Sequence, residues 1–103
     1  TSERLRQAMG LGPQDFVLIF VGKLIDKKRP ADFVRAVAAA RQTGADVRGV
    51  VVGSGPLEPV LRSLSGQIGA EVLFAGFQNQ SALPAYFAAA DALVLPSDAG
   101  ETW

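Results

Sequence analysis

The stretch Phe16-Val17-Leu18-Ile19-Phe20-Val21 restricts the fold of this chain more than any other feature. A strand with one wet face alternates apolar and polar residues. An unbroken run of β-formers suits a strand covered on both faces, as in a parallel sheet. Three shorter runs repeat the pattern: Gly49-Val50-Val51-Val52, Val72-Leu73-Phe74-Ala75 and Ala92-Leu93-Val94-Leu95. They stop at Gly53, Gly76 and Pro96, as the first stops at Gly22.

Helical spacing fills the intervals. Residues 31–43 carry Phe33, Val34, Val37, Ala38 and Ala40 on one side and Asp32, Arg35 and Gln42 on the other, closed by Gly44. Leu57, Val60, Leu61, Leu64 and Ile68 form the next stripe, which tolerates Pro59 only within its first turn. Ser81 is placed to cap a third helix, with Pro84 early and Leu83, Phe87 and Ala90 turned inward. Before the first strand, Ser2 suits a helix start and Leu5, Ala8 and Met9 make a narrow stripe ended by Gly10 and Gly12-Pro13. The order is a helix, then β-α-β-α-β-α-β. That alternation predicts an α/β, Rossmann-like, doubly wound parallel sheet in strand order 3-2-1-4, which leaves strand four at an open edge.

The 103 residues allow one domain at most, with a modest core. Ten basic and ten acidic residues cancel, so charge gives no reason to expect nucleic acid or an anionic membrane as partner. No run approaches the roughly 20 apolar residues of a membrane span, and no signal peptide pattern opens the chain. Cysteine and histidine are absent, which excludes disulfides, zinc sites built on those ligands and any histidine-dependent triad. Thr1 is not an initiator methionine, and Glu101-Thr102-Trp103 follow the last strand without a terminating element. Both ends read as cuts in a larger protein.

In open parallel sheets, ligands bind beyond the carboxyl ends of the strands. Here those tips are Gly22-Lys23, Gly53-Ser54-Gly55, Gly76-Phe77 and Pro96-Ser97. Glycine lets backbone approach a ligand closely, although each glycine alone is also ordinary turn chemistry. Lys23, Lys27, Lys28 and Arg29 crowd the first tip just before a helix begins. Cations sit poorly at a helix N-terminus unless an anion joins them, so the cluster reads either as a phosphate site or as a solvated loop. Gly53-Ser54-Gly55 is an incomplete dinucleotide fingerprint, because Glu58 stands where the third glycine belongs. No P-loop occurs. Glu101 follows the fourth strand on the same rim, where a carboxylate is able to accept from sugar hydroxyls.

Five segments in order resemble the group 1 (family 4) glycosyltransferases of GT-B architecture. They are Phe20-Val21-Gly22-Lys23 through Lys27-Lys28, Val51-Val52-Gly53-Ser54-Gly55-Pro56, Phe74-Ala75-Gly76-Phe77, residues 89–97, and Glu101-Thr102-Trp103. The resemblance implies two Rossmann-like domains with the active site between them, this chain being the first part of the C-terminal, donor-binding one. Its partners would be a nucleotide diphosphate sugar and the missing N-terminal acceptor domain. No cofactor or metal is implied, and the setting would be cytoplasmic polysaccharide biosynthesis.

By the same resemblance, Lys23 and Lys28 contact the donor diphosphate, with Lys23 keeping the charge but losing the fork of the arginine usual there. The backbone at Gly76 and Phe77 approaches the nucleobase. Glu101 matches the first glutamate of an E-x7-E motif that holds the donor sugar, with Thr102 and Trp103 beside it and Ser97 just before. The catalytic set is then Glu101, Lys23 and Lys28, and the substrate-binding set adds Gly22, Gly53, Gly55, Gly76, Phe77, Ser97, Thr102 and Trp103. The mechanism implied retains anomeric configuration. A GT-B nucleotide-sugar epimerase is an alternative that generally lacks this motif series. A response-regulator-like interaction domain would need acidic residues after strand one and an aspartate after strand three, where Gly22-Lys23 and Gly76-Phe77 stand.

Overall fold

The unbroken apolar run of β1 (Phe16–Val21) is accounted for by what lies on its two sides. Successive side chains of a strand point to opposite faces. Val17, Ile19 and Val21 accordingly join one apolar cluster, and Leu18 and Phe20 join the other. In the computed structural model, which describes residues 2–96, β1 is flanked by β2 (Val47–Val52) and β4 (Ala92–Leu93), and β2 by β3 (Val72–Gly76). All pairings are parallel, in the order β3-β2-β1-β4. This is the sheet that the sequence predicts.

Four helices cover it: α1 (Ser2–Ala8), α2 (Pro30–Gln42), α3 (Glu58–Ile68) and α4 (Leu83–Ala89). Helices α2 and α3 pack on one face, where Phe33, Val34, Val37 and Leu61 meet Phe20 and Val51. Helix α4, with α1 packed beside it, covers the other, where Leu83, Tyr86 and Met9 from the turn after α1 lie against Ile19 and Val50. Each apolar side chain fully withdrawn from water here contributes roughly 1.5–3 kcal/mol. Among the described residues, no helix is long and apolar enough to cross a membrane.

Several local expectations are corrected. Ser81 does not cap α4. It lies inside a 3-10 turn (Gln80–Ala82), and Ala82 holds the cap position with no side-chain hydrogen bond. Pro84 sets this start, because it fits only in the first turn of a helix. Phe87 is 42% exposed, while Leu83, Tyr86 and Ala90 pack inward. Consecutive helical residues are roughly 100° apart, so facing Tyr86 to the sheet turns Phe87 away.

Val60 likewise stands one step off the stripe of Leu57, Leu61, Leu64 and Ile68 and is exposed. In α1, Ala8 is exposed and Arg6 faces inward in its place. Ser2 opens α1, but its side chain lies outside the description. Strand β2 begins two residues earlier than the sequence suggests, since Val47 and Arg48 pair with Phe16 and Val17. Strand β4 is shorter than expected. Only Ala92 and Leu93 pair with β1, and beyond them Val94 N–H reaches the Ile19 carbonyl at 2.9 Å before Pro96, which has no N–H to give.

Among the described residues, strand β4 forms an edge of the sheet, with Leu93, Leu95 and Phe87 exposed around it. An apolar edge is a template for pairing with a second chain. Light scattering at rising concentration is expected to show self-association that Leu93→Lys diminishes. A wild-type chain that stays monomeric at all concentrations would remove the idea.

Candidate functional site

A cleft of about 300 Å³ opens where β1, β2 and β3 end. Val21, Gly22 and Lys23 line it from the first tip, Val52, Gly53 and Ser54 from the second, and Phe77, Gln78 and Leu83 from beyond the third. Backbone hydrogen bonds carry the sheet past its last paired residues. Gly22 N–H donates to the Val52 carbonyl (3.0 Å), Gly53 N–H to the Gly76 carbonyl (2.8 Å) and Leu24 N–H to the Ser54 carbonyl (3.1 Å). The three tips therefore form one continuous floor.

Gly53 is what allows that floor to close. Its φ is +141°, and a Cβ added there would lie 1.9 Å from the Gly22 carbonyl oxygen. Gly55 serves a similar approach one step further on, since its Cβ would stand 2.7 Å from the Leu24 carbonyl oxygen. Leu24 is fully buried in the α2–α3 cluster, and its carbonyl accepts from Leu57 N–H at 3.2 Å. Burying Leu24 leaves its neighbour Lys23 exposed at the mouth of the cleft. Gln78 is fixed there by Nε2–H donating to the Ala75 carbonyl at 2.9 Å.

Of the residues that the sequence singles out, Gly22, Lys23, Gly53 and Phe77 are brought together around this cleft. Gly55 and Gly76 do not line it; they shape the backbone behind it. Lys28 ends a 3-10 turn (Asp26–Lys28) in the same loop as Lys23 and does not line the cleft. Ser97, Glu101, Thr102 and Trp103 lie outside the described residues. Ser54 and Gln78 are wall residues that sequence reasoning passed over, although Ser54 sits inside the Gly53-Ser54-Gly55 tip and Gln78 directly follows Phe77.

The basic cluster before α2 needs a correction too. Arg29, in the left-handed region at φ 53°, occupies the cap position of α2. Its Nε–H donates to Asp32 Oδ2 at 2.6 Å, and Arg35 meets the other oxygen of that carboxylate at 3.4 Å. Part of the negative charge expected from a ligand is thus supplied from within, by Asp32 in the first turn of the helix. These exposed pairs add little stability. A larger hollow of about 470 Å³, lined by Glu3, Arg6, Gln7, Leu11 and Pro13, lies beside α1, before the start of β1.

Comparison with known proteins places this architecture. A 2-deoxystreptamine glucosyltransferase of Streptomyces kanamyceticus is 34% identical over 99 residues, covering 92% of this chain and 25% of that protein. The chain spans about a quarter of the length of the curated relatives it matches. The crystal structure of Anabaena Alr3699/HepE in complex with UDP superposes with a TM-score of 0.82 at 25% identity, covering 99% of this chain and 28% of that one. WaaG, a glycosyltransferase involved in lipopolysaccharide biosynthesis, superposes with a TM-score of 0.73 at 25% identity, covering 93% and 26%. The family model of the glycosyl transferases group 1 matches residues 1–103. With its GT-B type of sheet, its glycine-closed strand tips and a family match over its whole length, the chain belongs to the group 1 glycosyl transferases.

Proposed function

We propose that this chain is part of the donor-binding domain of a retaining glycosyltransferase, which takes a nucleotide diphosphate sugar and transfers its hexose to an acceptor held by a separate domain. One observation carries the reading: Gly22-Lys23, Gly53-Ser54 and Phe77-Gln78 converge on a single cleft at the carboxyl ends of parallel strands. In this reading the nucleobase lies by Phe77 and Gln78, and the diphosphate lies along the Gly53-Ser54 tip toward Lys23. Lys28 adds charge from the same loop. Glu101, with Ser97, Thr102 and Trp103, completes the sugar end. The UDP held by the Anabaena protein supports a uridine nucleotide as the first to test. The lipopolysaccharide role of WaaG supports a glycan acceptor.

The chemistry follows from charge. As the sugar leaves, negative charge grows on the diphosphate, and a fixed cation stabilises it more in the transition state than in the ground state. Losing one such contact costs about 2–4 kcal/mol of transition-state stabilisation. Calorimetric titration with UDP, GDP and ADP tests the binding half of the proposal. One nucleotide is expected to bind, and Lys23→Ala to weaken it about tenfold, as loss of a charge-assisted hydrogen bond does. Lys28→Ala should act in the same direction. Heats that neither substitution changes would overturn the lysine assignment.

A further inference from the structure

Strand β3 carries one residue more than β2 at the end that reaches the cleft. Gly49, Val50 and Val51 stand opposite Val72, Leu73 and Phe74, but Val52 stands opposite Gly76. Ala75 is the extra residue of a β-bulge. Bulges beside binding sites re-aim the side chains that follow them. Here Gly76 comes next, in the left-handed region at φ +77°, and after it Phe77 and Gln78, both on the cleft wall. A bulged residue leaves the ladder with backbone groups still to satisfy. Gln78 meets one of them: its Nε2–H donates to the Ala75 carbonyl at 2.9 Å.

That bond fixes which way the amide faces. A carbonyl only accepts, so the nitrogen of Gln78 must be the atom that meets Ala75. With the nitrogen drawn back to the β3 backbone, the oxygen is left as the atom the side chain offers a ligand. It has no hydrogen-bond partner among the described residues. Gln78 is half-buried, and Val21, Val52, Phe77 and Leu83 share the cleft wall with it. In such surroundings a fixed acceptor separates a ligand N–H from a ligand lone pair, because facing lone pairs leave both groups unpaired. The exposed ring of Phe77 beside it suits the stacking of a flat heterocycle.

From this geometry we infer that Gln78 is a specificity-determining residue: its amide oxygen, locked by the bulge, accepts from a ring N–H of the donor's base. The site then favours uracil or guanine, which carry a hydrogen on that ring nitrogen, over cytosine or adenine, which carry a lone pair there. The inference rests on the proposed function, in which the base lies by Phe77 and Gln78, and it adds what selects the base. The amide nitrogen has a positional part, since its bond to Ala75 holds the oxygen still.

Two substitutions in the whole chain separate the oxygen from the lock. Gln78→Lys keeps a donor for the Ala75 carbonyl and offers no acceptor. Gln78→Met keeps the length and has neither. Calorimetric titration uses two pairs of ligands, UDP with CDP and GDP with ADP, in which the ring nitrogen changes from N–H to lone pair. The pair that shows the preference tells uracil from guanine. The wild type is expected to bind the N–H member about tenfold more tightly than its counterpart, as one sheltered hydrogen bond provides. Both variants should bring that ratio to within about twofold of unity. The ratio cancels whatever the lysine charge does to the shared diphosphate. A preference that survives in either variant overturns the inference. Should a variant fail to fold, the wild type alone decides: the preferred nucleotide methylated on its ring nitrogen should bind no more tightly than the lone-pair member, and binding as tight as the unmethylated form overturns the inference. Nucleotide binding without preference in the wild type overturns the inference and leaves the functional reading standing. No binding of any of the four overturns both.

Discussion

Replacing Gly53 with alanine is expected to remove about 3–5 kcal/mol of folding stability and, with it, the floor of the cleft. The added Cβ would lie 1.9 Å from the Gly22 carbonyl oxygen and 2.9 Å from its carbon. Those are backbone atoms of the neighbouring tip, so no rotamer change relieves the clash. Either β1 and β2 part at their ends or Gly53 leaves its φ of +141°. The first breaks the bond from Gly22 N–H to Val52, and the second breaks that from Gly53 N–H to Gly76. Unfavourable φ costs about 1–3 kcal/mol and overpacking about 1–3 more, against a total stability of about 5–15 kcal/mol for a chain of this size. Urea unfolding followed by circular dichroism measures the loss directly. Gly66→Ala is the contrasting control. It lies within α3 with nothing within 4 Å of the new methyl, so helix propensity should raise the midpoint by up to about 1 kcal/mol. A Gly53→Ala midpoint equal to the wild type would mean that the tips are not packed as described.

The same glycine shows what the sequence makes legible. A glycine after each of three apolar runs locates the strand tips, and parallel topology brings the tips to one rim, so most of the cleft is readable before any coordinates. Which glycines face the cleft is not readable. Gly55 and Gly76 turn out to shape the backbone behind it, because the ladder continues past the last paired residues through loop hydrogen bonds.

The helical faces are read to within one residue step. Phe87 and Val60 satisfy the apolar periodicity as well as their buried neighbours do, and only the docking angle of each helix separates them. The anchoring of Arg6 is invisible in the sequence for a different reason. Arg6 appears as one more polar residue of a short helix, and its guanidinium donates to the backbone carbonyls of Gly12, Asp15 and Ala89, which carry no sequence signature. Asp91 is likewise an ordinary residue between a helix and a strand until its carboxylate is found accepting from Val17 N–H.

Two phenylalanines then separate the core from the site. Phe33 is fully buried in α2, with its ring centroid 5.7 Å from that of Phe20 at an interplanar angle of 46°. It also fills the space above Gly49, where a Cβ would meet the Phe33 ring at 3.3 Å. Phe33→Ala is therefore expected to cost about 3–5 kcal/mol, the sum of lost transfer energy and an incompletely collapsed cavity. The aromatic pair with Phe20 is lost within that figure. Phe77, by contrast, is 73% exposed at the cleft. Phe77→Ala removes almost no buried contact, so the urea midpoint should hold within about 0.5 kcal/mol, while the nucleotide of the proposed function should bind several-fold more weakly. The pair of measurements is decisive because the two residues are chemically identical and differ only in what surrounds them. A destabilised Phe77→Ala would make Phe77 a packing residue, and an unchanged Kd would remove it from the donor site. A mild Phe33→Ala would contradict a core centred between α2 and the sheet.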